Sequence, residues 1–260
     1  GTIGVSAWAG ARERAVVAHS AAALAAGMDQ LVRDAEHWER FGFAAGERSA
    51  QAEQQLRTVR ELRAGVGASA PIDRALARML VAAGGLHLRL GATERGRLMV
   101  AEALEVLRPL TAAPDASADD RAVLALALVL DGDAHGHVGD FTTAIARFRE
   151  ALALDARRHA ERPDDATCCS DLGFGHLRIG TMLLRQGDVE GAVREQRRAM
   201  ELVEAAERLE PECIDRLRHT ADVALELLAT QMRQQVPREE LLACLDAAET
   251  RLERVCAAEP

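Results

Sequence analysis

Blocks of apolar residues at helical spacing, separated by short polar hinges, run through most of the chain, and Leu172–Arg208 shows the pattern most clearly. Its sequence, LGFGHLRIGTMLLRQGDVEGAVREQRRAMELVEAAER, predicts two helices joined at Gln186-Gly187-Asp188. Gly187 is the residue type that ends a helix in the left-handed conformation. Asp188 is an N-cap type whose carboxylate accepts backbone N–H bonds at the start of the next helix. The stretch therefore predicts an antiparallel helix hairpin.

The same features recur along the chain at a constant step of 48 residues. Small residues in the first helix, hinge glycines and alanines in the second helix all follow this step: Gly84, Gly132 and Gly180; Gly91, Gly139 and Gly187; Ala103, Ala151, Ala199 and Ala247. A fixed period of about 20–50 residues built from helix pairs indicates a solenoid, in which each repeat packs on its neighbours. The sequence therefore predicts an all-α fold, an α-solenoid of helix hairpins.

Proline, glycine and acidic residues divide the chain into segments. The stretch 65–71, GVGASAP, is the best candidate boundary, because its glycines and proline end one element and open the next. It separates an N-terminal helical capping or docking region, 1–64, from a repeat region, 65–260. Ser117 and Asp120 form a capping-box pattern at the start of one helix. The hairpins predicted in the repeat region span about 71–110, 117–162, 166–210 and 212–257.

Each repeat resembles the tetratricopeptide repeat (TPR), which has a small residue in its first helix, Gly or Asp at the hinge, and an Ala–aromatic–Ala series in its second helix. The second copy matches this pattern with Gly132, Gly139-Asp140, Ala144, Phe148 and Ala151. The third copy keeps the glycines and alanines but has Gln196 in place of the aromatic residue, and the fourth has Leu228 in place of the glycine. The resemblance covers roughly residues 71 to 257 and implies a right-handed superhelix. The usual repeat has about 34 residues, so this one resembles the long variety found in bacterial signalling and defence proteins.

The amino-acid composition indicates the cellular compartment of the protein and argues against one class of binding partner. Hydrophobic residues make up 48% of the chain but aromatic residues only 3%, which suits closely packed helices. All 32 basic residues are Arg and there is no Lys, Asn or Tyr, a bias typical of a GC-rich bacterial genome. The net charge of −9 argues against nucleic-acid binding. The five cysteines follow no disulfide framework or metal spacing, which favours the cytoplasm. No apolar run reaches the ~18 residues of a membrane span.

The resemblance also indicates where a partner would bind, because the first helices of tetratricopeptide repeats line a groove that holds a peptide or a partner helix. One groove-facing row, again at a step of 48, would be Arg89, His137, Arg185 and Arg233. Four further residues lie on the same helix faces: Arg78, Asp133, Phe174 and Thr181. The Arg fork binds carboxylate or phosphate bidentately, so the row predicts an anionic ligand such as an acidic peptide. The competing interpretation is that these cations only complement the helix macrodipole, for ~0.3–1 kcal/mol each.

Two other clusters suggest chemistry, and neither forms a convincing site from its sequence. In the segment 131–137, DGDAHGH, the i,i+4 pairs Asp131/His135 and Asp133/His137 point in different directions and would need outside ligands to bind a metal. His159, Cys168 and Cys169 suggest a Cys–His dyad, but no residue orients the base and no glycine turn provides an oxyanion hole. We therefore predict a protein that is not an enzyme and that carries no metal or other cofactor.

The function predicted from the sequence is that of a protein- or peptide-binding scaffold or sensor, part of a larger bacterial signalling or defence protein, which holds an acidic segment in its groove. The alternative, from another class, is a ligand-gated self-association module that controls an attached effector domain by forming a homo-oligomer through its terminal repeats.

Overall fold

The computed structural model describes residues 45–113, 116–233 and 237–258, together with Val16, His19 and Ser20. All the regular elements in these residues are α-helices. They are α1 (Ala45–Val66), α2 (Ala70–Arg89), α3 (Thr93–Ala112), α4 (Ala118–His137), α5 (Phe141–Glu161), α6 (Ala166–Gln186), α7 (Val189–Leu209), α8 (Ile214–Arg233) and α9 (Arg238–Ala258). None of the helices in the described part is both long enough and apolar enough to cross a membrane.

These helices confirm the predicted all-α fold class. Most of the predicted capping region, 1–64, lies outside the described residues. The chain divides into two compact units, Gly1–Ala134 and His135–Pro260. Unit 1 contains α1, α2, α3 and α4 as far as Ala134, and unit 2 contains α5 to α9. The sequence-based division at residues 64 and 65 stays a prediction.

Local signals in the sequence set the hairpin turns. The hinge residues Gly91, Gly139 and Gly187 have φ values of 77°, 84° and 90°, a left-handed conformation that residues with a Cβ rarely adopt. Directly after the hinge residue Gly187, the Asp188 carboxylate accepts a hydrogen bond of 2.8 Å from the Gly191 N–H and so caps α7. The predicted Gly stop and Asp start are both present at this turn.

The capping box at the start of α4 is also present. The Ser117 N–H donates to Asp120 Oδ2 and the Asp120 N–H donates to Ser117 Oγ, each at 3.0 Å. Arg74 on α2 donates to the same Asp120 carboxylate at 2.9 Å, which ties two first helices of unit 1 together. Burial raises the pKa of Asp120, but the hydrogen bonds from Arg74 and Ser117 outweigh burial and hold this pKa below its usual value.

Glycines at the helix crossings let the paired backbones approach closely. In unit 2, a Cβ placed on Gly180 of α6 would lie 3.1 Å from the Ala192 carbonyl oxygen and 3.0 Å from Gln196 Cγ, both on α7. In unit 1, a Cβ on Gly84 would lie 3.2 Å from the Gly96 carbonyl oxygen. Such distances are shorter than ordinary Cβ contacts, so a larger residue at either position would require the facing helix to move by a few tenths of an ångström.

A core cluster of unit 2 lies between α6, α7 and α8. Ala199 on α7 and Val223 on α8 are fully buried, and Val203 is almost so. Phe174 and Leu177 of α6 pack against them from the first-helix side. Because small and branched side chains from three consecutive helices interlock here, each helix fixes the rotation of the next about its axis. This rotation determines which α6 side chains form the outer edge of the core.

Candidate functional site

The predicted cationic row occupies equivalent positions in four first helices. Arg89, His137, Arg185 and Arg233 each lie in the last turn of their helix, and all four side chains are exposed. Arg89 and His137 have interaction partners. Among the described residues, Arg185 and Arg233 of unit 2 have no ion-pair partner. These two guanidinium groups therefore retain donors for another molecule.

Three of the predicted groove residues share one face of α6, because Phe174, Thr181 and Arg185 are spaced i, i+7 and i+11. The Thr181 hydroxyl donates to the Leu177 carbonyl oxygen at 3.0 Å, so its donor is satisfied within the helix. Phe174 is half-buried. Its outer edge is the apolar part of this face, and Arg185 is the charged part.

Phe174 also contacts a residue whose role the sequence did not reveal. The His219 ring of α8 meets it edge-on, with ring centroids 4.7 Å apart and planes at 89°. His219 Nδ1 lies 3.1 Å from Ser170 Oγ, a hydrogen bond between α6 and α8. Burial lowers the pKa of His219 and the nearby Arg216 charge lowers it further, which keeps the imidazole neutral at pH 7. The one signal in the sequence was the repeat position of His219. It lies 48 residues after Asp171 and therefore occupies on α8 the position that Asp171 occupies on α6.

The predicted groove residues on the earlier first helices are engaged in other contacts. Arg78 of α2 forms an ion pair with Asp119 at the start of α4, within unit 1. Asp133 is half-buried and has an interaction partner. The Arg78 side chain therefore already serves the packing of unit 1.

A partly buried charge cluster in unit 2 was not predicted. Arg158 on α5 donates from one nitrogen to Asp155 Oδ1 at 2.8 Å and to Asp171 Oδ2 of α6 at 3.3 Å. Burial raises the pKa of Asp155, and the Asp171 charge raises it further. Burial also raises the pKa of Asp171, although Arg158 opposes the shift. One guanidinium is thus shared by two carboxylates whose pKa values both stay raised, and it joins α5 to α6.

The structure brings together the suspected Cys–His pair, but in a form unsuited to nucleophilic catalysis. Cys169 Sγ lies 3.5 Å from His159 Nδ1 and 3.6 Å from the Pro163 carbonyl oxygen. Cys169 is buried, and burial together with the Asp165 charge raises the pKa of its thiol. The reactive species would be the thiolate, which this setting disfavours. The neighbouring Cys168 is likewise a buried free thiol with a raised pKa.

The Asp–His segment in α4 makes local contacts. His135 Nδ1 lies 3.2 Å from Asp140 Oδ2 at the hinge of unit 2, and Asp131 is buried in unit 1. In the part of the chain that the structure describes, no three His, Cys, Asp or Glu side chains are grouped as metal ligands would be.

Comparison with known proteins gives likenesses of fold only. No family model matches the chain, and no curated protein matches it. The crystal structure of BtubC (BKLC) from P. vanneervenii matches with a TM-score of 0.55 and 17% identity, over 84% of this chain and 74% of that one. The fold is of the tetratricopeptide-repeat type.

Two further tetratricopeptide-like matches are weaker in geometry. YrrB, described as a TPR protein with an unusual peptide-binding site, has a TM-score of 0.43 and 14% identity, over 88% of this chain and 90% of that one. MamA from Desulfovibrio magneticus RS-1 has a TM-score of 0.42 and 14% identity, over 90% of this chain and 97% of that one.

The tetratricopeptide hairpins of unit 1 contain a separate cleft of about 550 Å³ between α1, α2 and α3. Arg63 and Asp73, which line it, form an ion pair of 2.7 Å, and Arg74 of the same wall is bound to Asp120. Both arginines of this cleft are therefore already paired with carboxylates, and Glu102 and Glu105 also line it. The first-helix face of unit 2, with Arg185 and Arg233 lacking ion-pair partners among the described residues, is the better candidate for binding an anionic partner.

Proposed function

We propose that this chain is a protein-binding tetratricopeptide module and that the first-helix face of unit 2 holds an acidic peptide segment. This face is formed by Phe174, Thr181 and Arg185 of α6 together with Arg233 of α8. The observation that carries the proposal is that Arg185 and Arg233 are repeat-related, exposed and without ion-pair partners among the described residues. The proposed function involves no catalytic step.

The distribution of charge on this face favours one orientation of the ligand. On α6 this stripe starts with Asp171, which is half-buried and paired with Arg158, and ends with the exposed Arg185. The equivalent stripe on α8 carries exposed Asp222 and Glu226 before it ends with Arg233. The α8 part of the face is therefore acidic before its end, and both helices end in a cation. An acidic ligand segment would be attracted at the Arg185–Arg233 end and repelled at the other end.

The edge of Phe174 gives the same face an apolar contact. The Phe174 ring is fixed by His219 on one side and by the Ala199–Val203–Val223 core on the other. A rigid aromatic ring loses little conformational entropy when a ligand covers it. The preferred ligand is thus a segment with an apolar side chain near Phe174 and carboxylates near the two arginines.

The competing role of the arginines predicts a different experimental result. If they only complement helix dipoles, each contributes about 0.3–1 kcal/mol to stability and nothing to binding. If they hold carboxylates through charge-assisted hydrogen bonds, each contributes roughly 1.5–3 kcal/mol to binding, which is about tenfold or more in affinity. Measurement of stability and binding on the same variants separates the two roles.

The experiment is a binding screen with an arrayed peptide library in which every Asp- and Glu-containing peptide has a twin with Asn and Gln. We expect the selected peptides to lose affinity in the Asn/Gln twin and with rising salt. The Arg185→Glu and Arg233→Glu variants should each bind about tenfold or more weakly. The matched control is Arg194→Glu, which reverses an exposed arginine on the second helix α7. Equal binding by acidic and neutral twins, or equal losses in the Arg194 variant, would refute the proposal.

The wider setting is part of the same proposal. We place the chain in a bacterial cytoplasm, within a larger signalling or defence protein. Its five cysteines are all free, with Cys168 and Cys169 buried side by side, as suits a reducing compartment. The use of Arg alone among its basic residues fits a GC-rich bacterial genome.

A further inference from the structure

Helix α9 of unit 2 presents a row of apolar residues to solvent. Leu242, Leu245 and Leu252 are 44%, 42% and 37% exposed, three large side chains on a single helix. The buried side of α9 lies next to this row, since Ala248 and Val255, each three residues after one of the leucines, pack into unit 2. A scattered exposed leucine is ordinary on a protein surface, but three in register along one helix mark an interaction surface.

The spacing of these residues is that of a coiled-coil seam. Arg238, Leu242, Leu245, Glu249, Leu252 and Cys256 follow one another at intervals of four, three, four, three and four residues. This is the alternation of a and d positions in a heptad, which places side chains along one narrow stripe of a helix. We call this stripe the α9 seam. From Leu242 to Cys256 it is about 21 Å long at 1.5 Å per residue.

We propose that the occupant of the α9 seam is the α9 seam of a second copy of this chain, packed antiparallel about a two-fold axis near residue 247. In this register Leu242 of one copy faces Leu252 of the other, and Leu245 faces the stem of Glu249. The apolar residues of the seam are thus covered by equivalent residues, as an isologous dimer requires. The proposal goes beyond the peptide-binding function and uses none of its residues.

The position of Arg238 favours the antiparallel orientation of the second copy over the parallel one. Arg238 lies in the first turn of α9, where the positive end of the helix dipole disfavours a cation. In an antiparallel pair it lies beside the C-terminal end of the partner helix, within one turn of the exposed Glu253. Both the dipole and the carboxylate there are negative. A parallel pair would instead place the two Arg238 side chains together and the two Cys256 side chains together.

Glu249 specifies the register in which the two α9 helices pair, and it lowers the stability of the dimer. A polar residue at one a position of a coiled coil specifies the register at a cost in stability. The carboxylate would be half-covered by the facing Leu245, so the dimer is expected to be reversible and concentration-dependent. Replacing Glu249 by Leu should remove that cost and strengthen association.

The test is sedimentation velocity with light scattering on the full chain from low to high concentration. The expected result is a mass that rises from 28.0 kDa towards twice that value. Leu245→Glu should weaken the dimer about tenfold or more, and Glu249→Leu should strengthen it by a similar factor. The control is Leu98→Glu, at a leucine of α3 in unit 1 that is 62% exposed, which should dimerise as the wild type does. Circular dichroism verifies that each variant folds.

Two measurements fix the orientation. Arg238→Glu should weaken the dimer, and Arg238→Glu combined with Glu253→Arg should restore it. Two variants, Leu242→Cys and Leu252→Cys, are made in a Cys256→Ser background. Their mixture should form an interchain disulfide on oxidation, whereas the Leu242→Cys protein alone should not. A strict monomer at every concentration overturns the proposal. So does a dimer that Leu245→Glu and Glu249→Leu leave unchanged, or a disulfide between two Cys256 residues in the wild type.

Discussion

Gln196 and Phe148 occupy the same position in successive repeats, 48 residues apart, and both are buried in unit 2. Phe148 fills its site with an apolar ring. Neither amide atom of Gln196, which is fully buried, has a hydrogen-bond partner among the described residues. A buried donor and acceptor without partners are destabilising by about 1–3 kcal/mol. The third repeat thus contains a polar defect at a position where the second repeat has a core residue.

We expect Gln196→Met to stabilise the chain, because Met has a similar shape and no strong hydrogen-bonding group to leave unpaired. The expected gain in unfolding free energy is about 1–3 kcal/mol, measured by urea unfolding. Gln231→Met is the matched control, since Gln231 is also buried but its Oε1 accepts a hydrogen bond of 3.4 Å from Cys244 Sγ. A gain at Gln231 as large as the gain at Gln196 would disprove the explanation.

Ala199→Arg should unfold the third repeat. Ala199 is fully buried against Val203 and Val223, so a guanidinium there would be an unpaired charge in an apolar site, at a cost of roughly 3–5 kcal/mol. The measurement is loss of amide protection in α6 and α7 by hydrogen exchange. Ala153→Arg on α5 introduces the same side chain at an exposed alanine and should leave protection unchanged. Retained protection in the Ala199 variant would mean that this crossing is not the close contact described.

The charge cluster predicts a specific dependence of stability on pH. Asp155 has a raised pKa, so the folded state holds a proton at pH values just above 3.8 where the unfolded chain has lost it. Its contribution to stability is therefore present at low pH and is lost as the pH rises through the folded-state pKa. Asp155→Asn removes this loss, and Arg158 keeps Asp171 as a partner. The variant should gain in melting temperature relative to the wild type as the pH rises from about 4 to 7.

The control for the pH experiment is Asp215→Asn, which changes an exposed carboxylate of α8. Its difference from the wild type should vary little across the same range. A difference for Asp155→Asn that stays constant, or that shrinks as the pH rises, would contradict the raised pKa.

Thiol reactivity distinguishes a packed cysteine from an activated one. Cys168 and Cys169 are buried with raised pKa values, whereas Cys256 is exposed. Under native conditions, iodoacetamide should modify Cys256 first and leave Cys168 and Cys169 unmodified until the protein unfolds. Mass spectrometry of peptides identifies the order. Faster alkylation at Cys169 than at Cys256 would instead indicate that His159 activates the thiol.

The repeat period made most of the fold predictable. The positions of Gly187 and Asp188 define a helix stop and a helix start from local chemistry alone, and the capping box of Ser117 and Asp120 does the same for α4. Such signals act within a few residues, and so they can be recognised in the sequence. Their recurrence at a constant step then fixed the hairpins.

The contacts around the candidate site could not be predicted in the same way. Asp155 and Asp171 meet through Arg158 because α5 and α6 turn particular faces towards each other, and no local pattern specifies that rotation. The edge-on contact of Phe174 with His219 has the same origin. The ion pair of Arg78 with Asp119 is another contact between helices that no local pattern specified.

A charge-swap titration tests whether Arg185 and Arg233 hold the carboxylates of an acidic peptide. An acidic peptide selected by the screen and a twin with Arg in place of its acidic residues are titrated calorimetrically against the wild type and the Arg185→Glu/Arg233→Glu protein. We expect the wild type to bind only the acidic peptide and the variant to prefer the basic twin. If the variant binds the acidic peptide as tightly as the wild type does, the two arginines are helix-end residues and the proposed binding face is wrong.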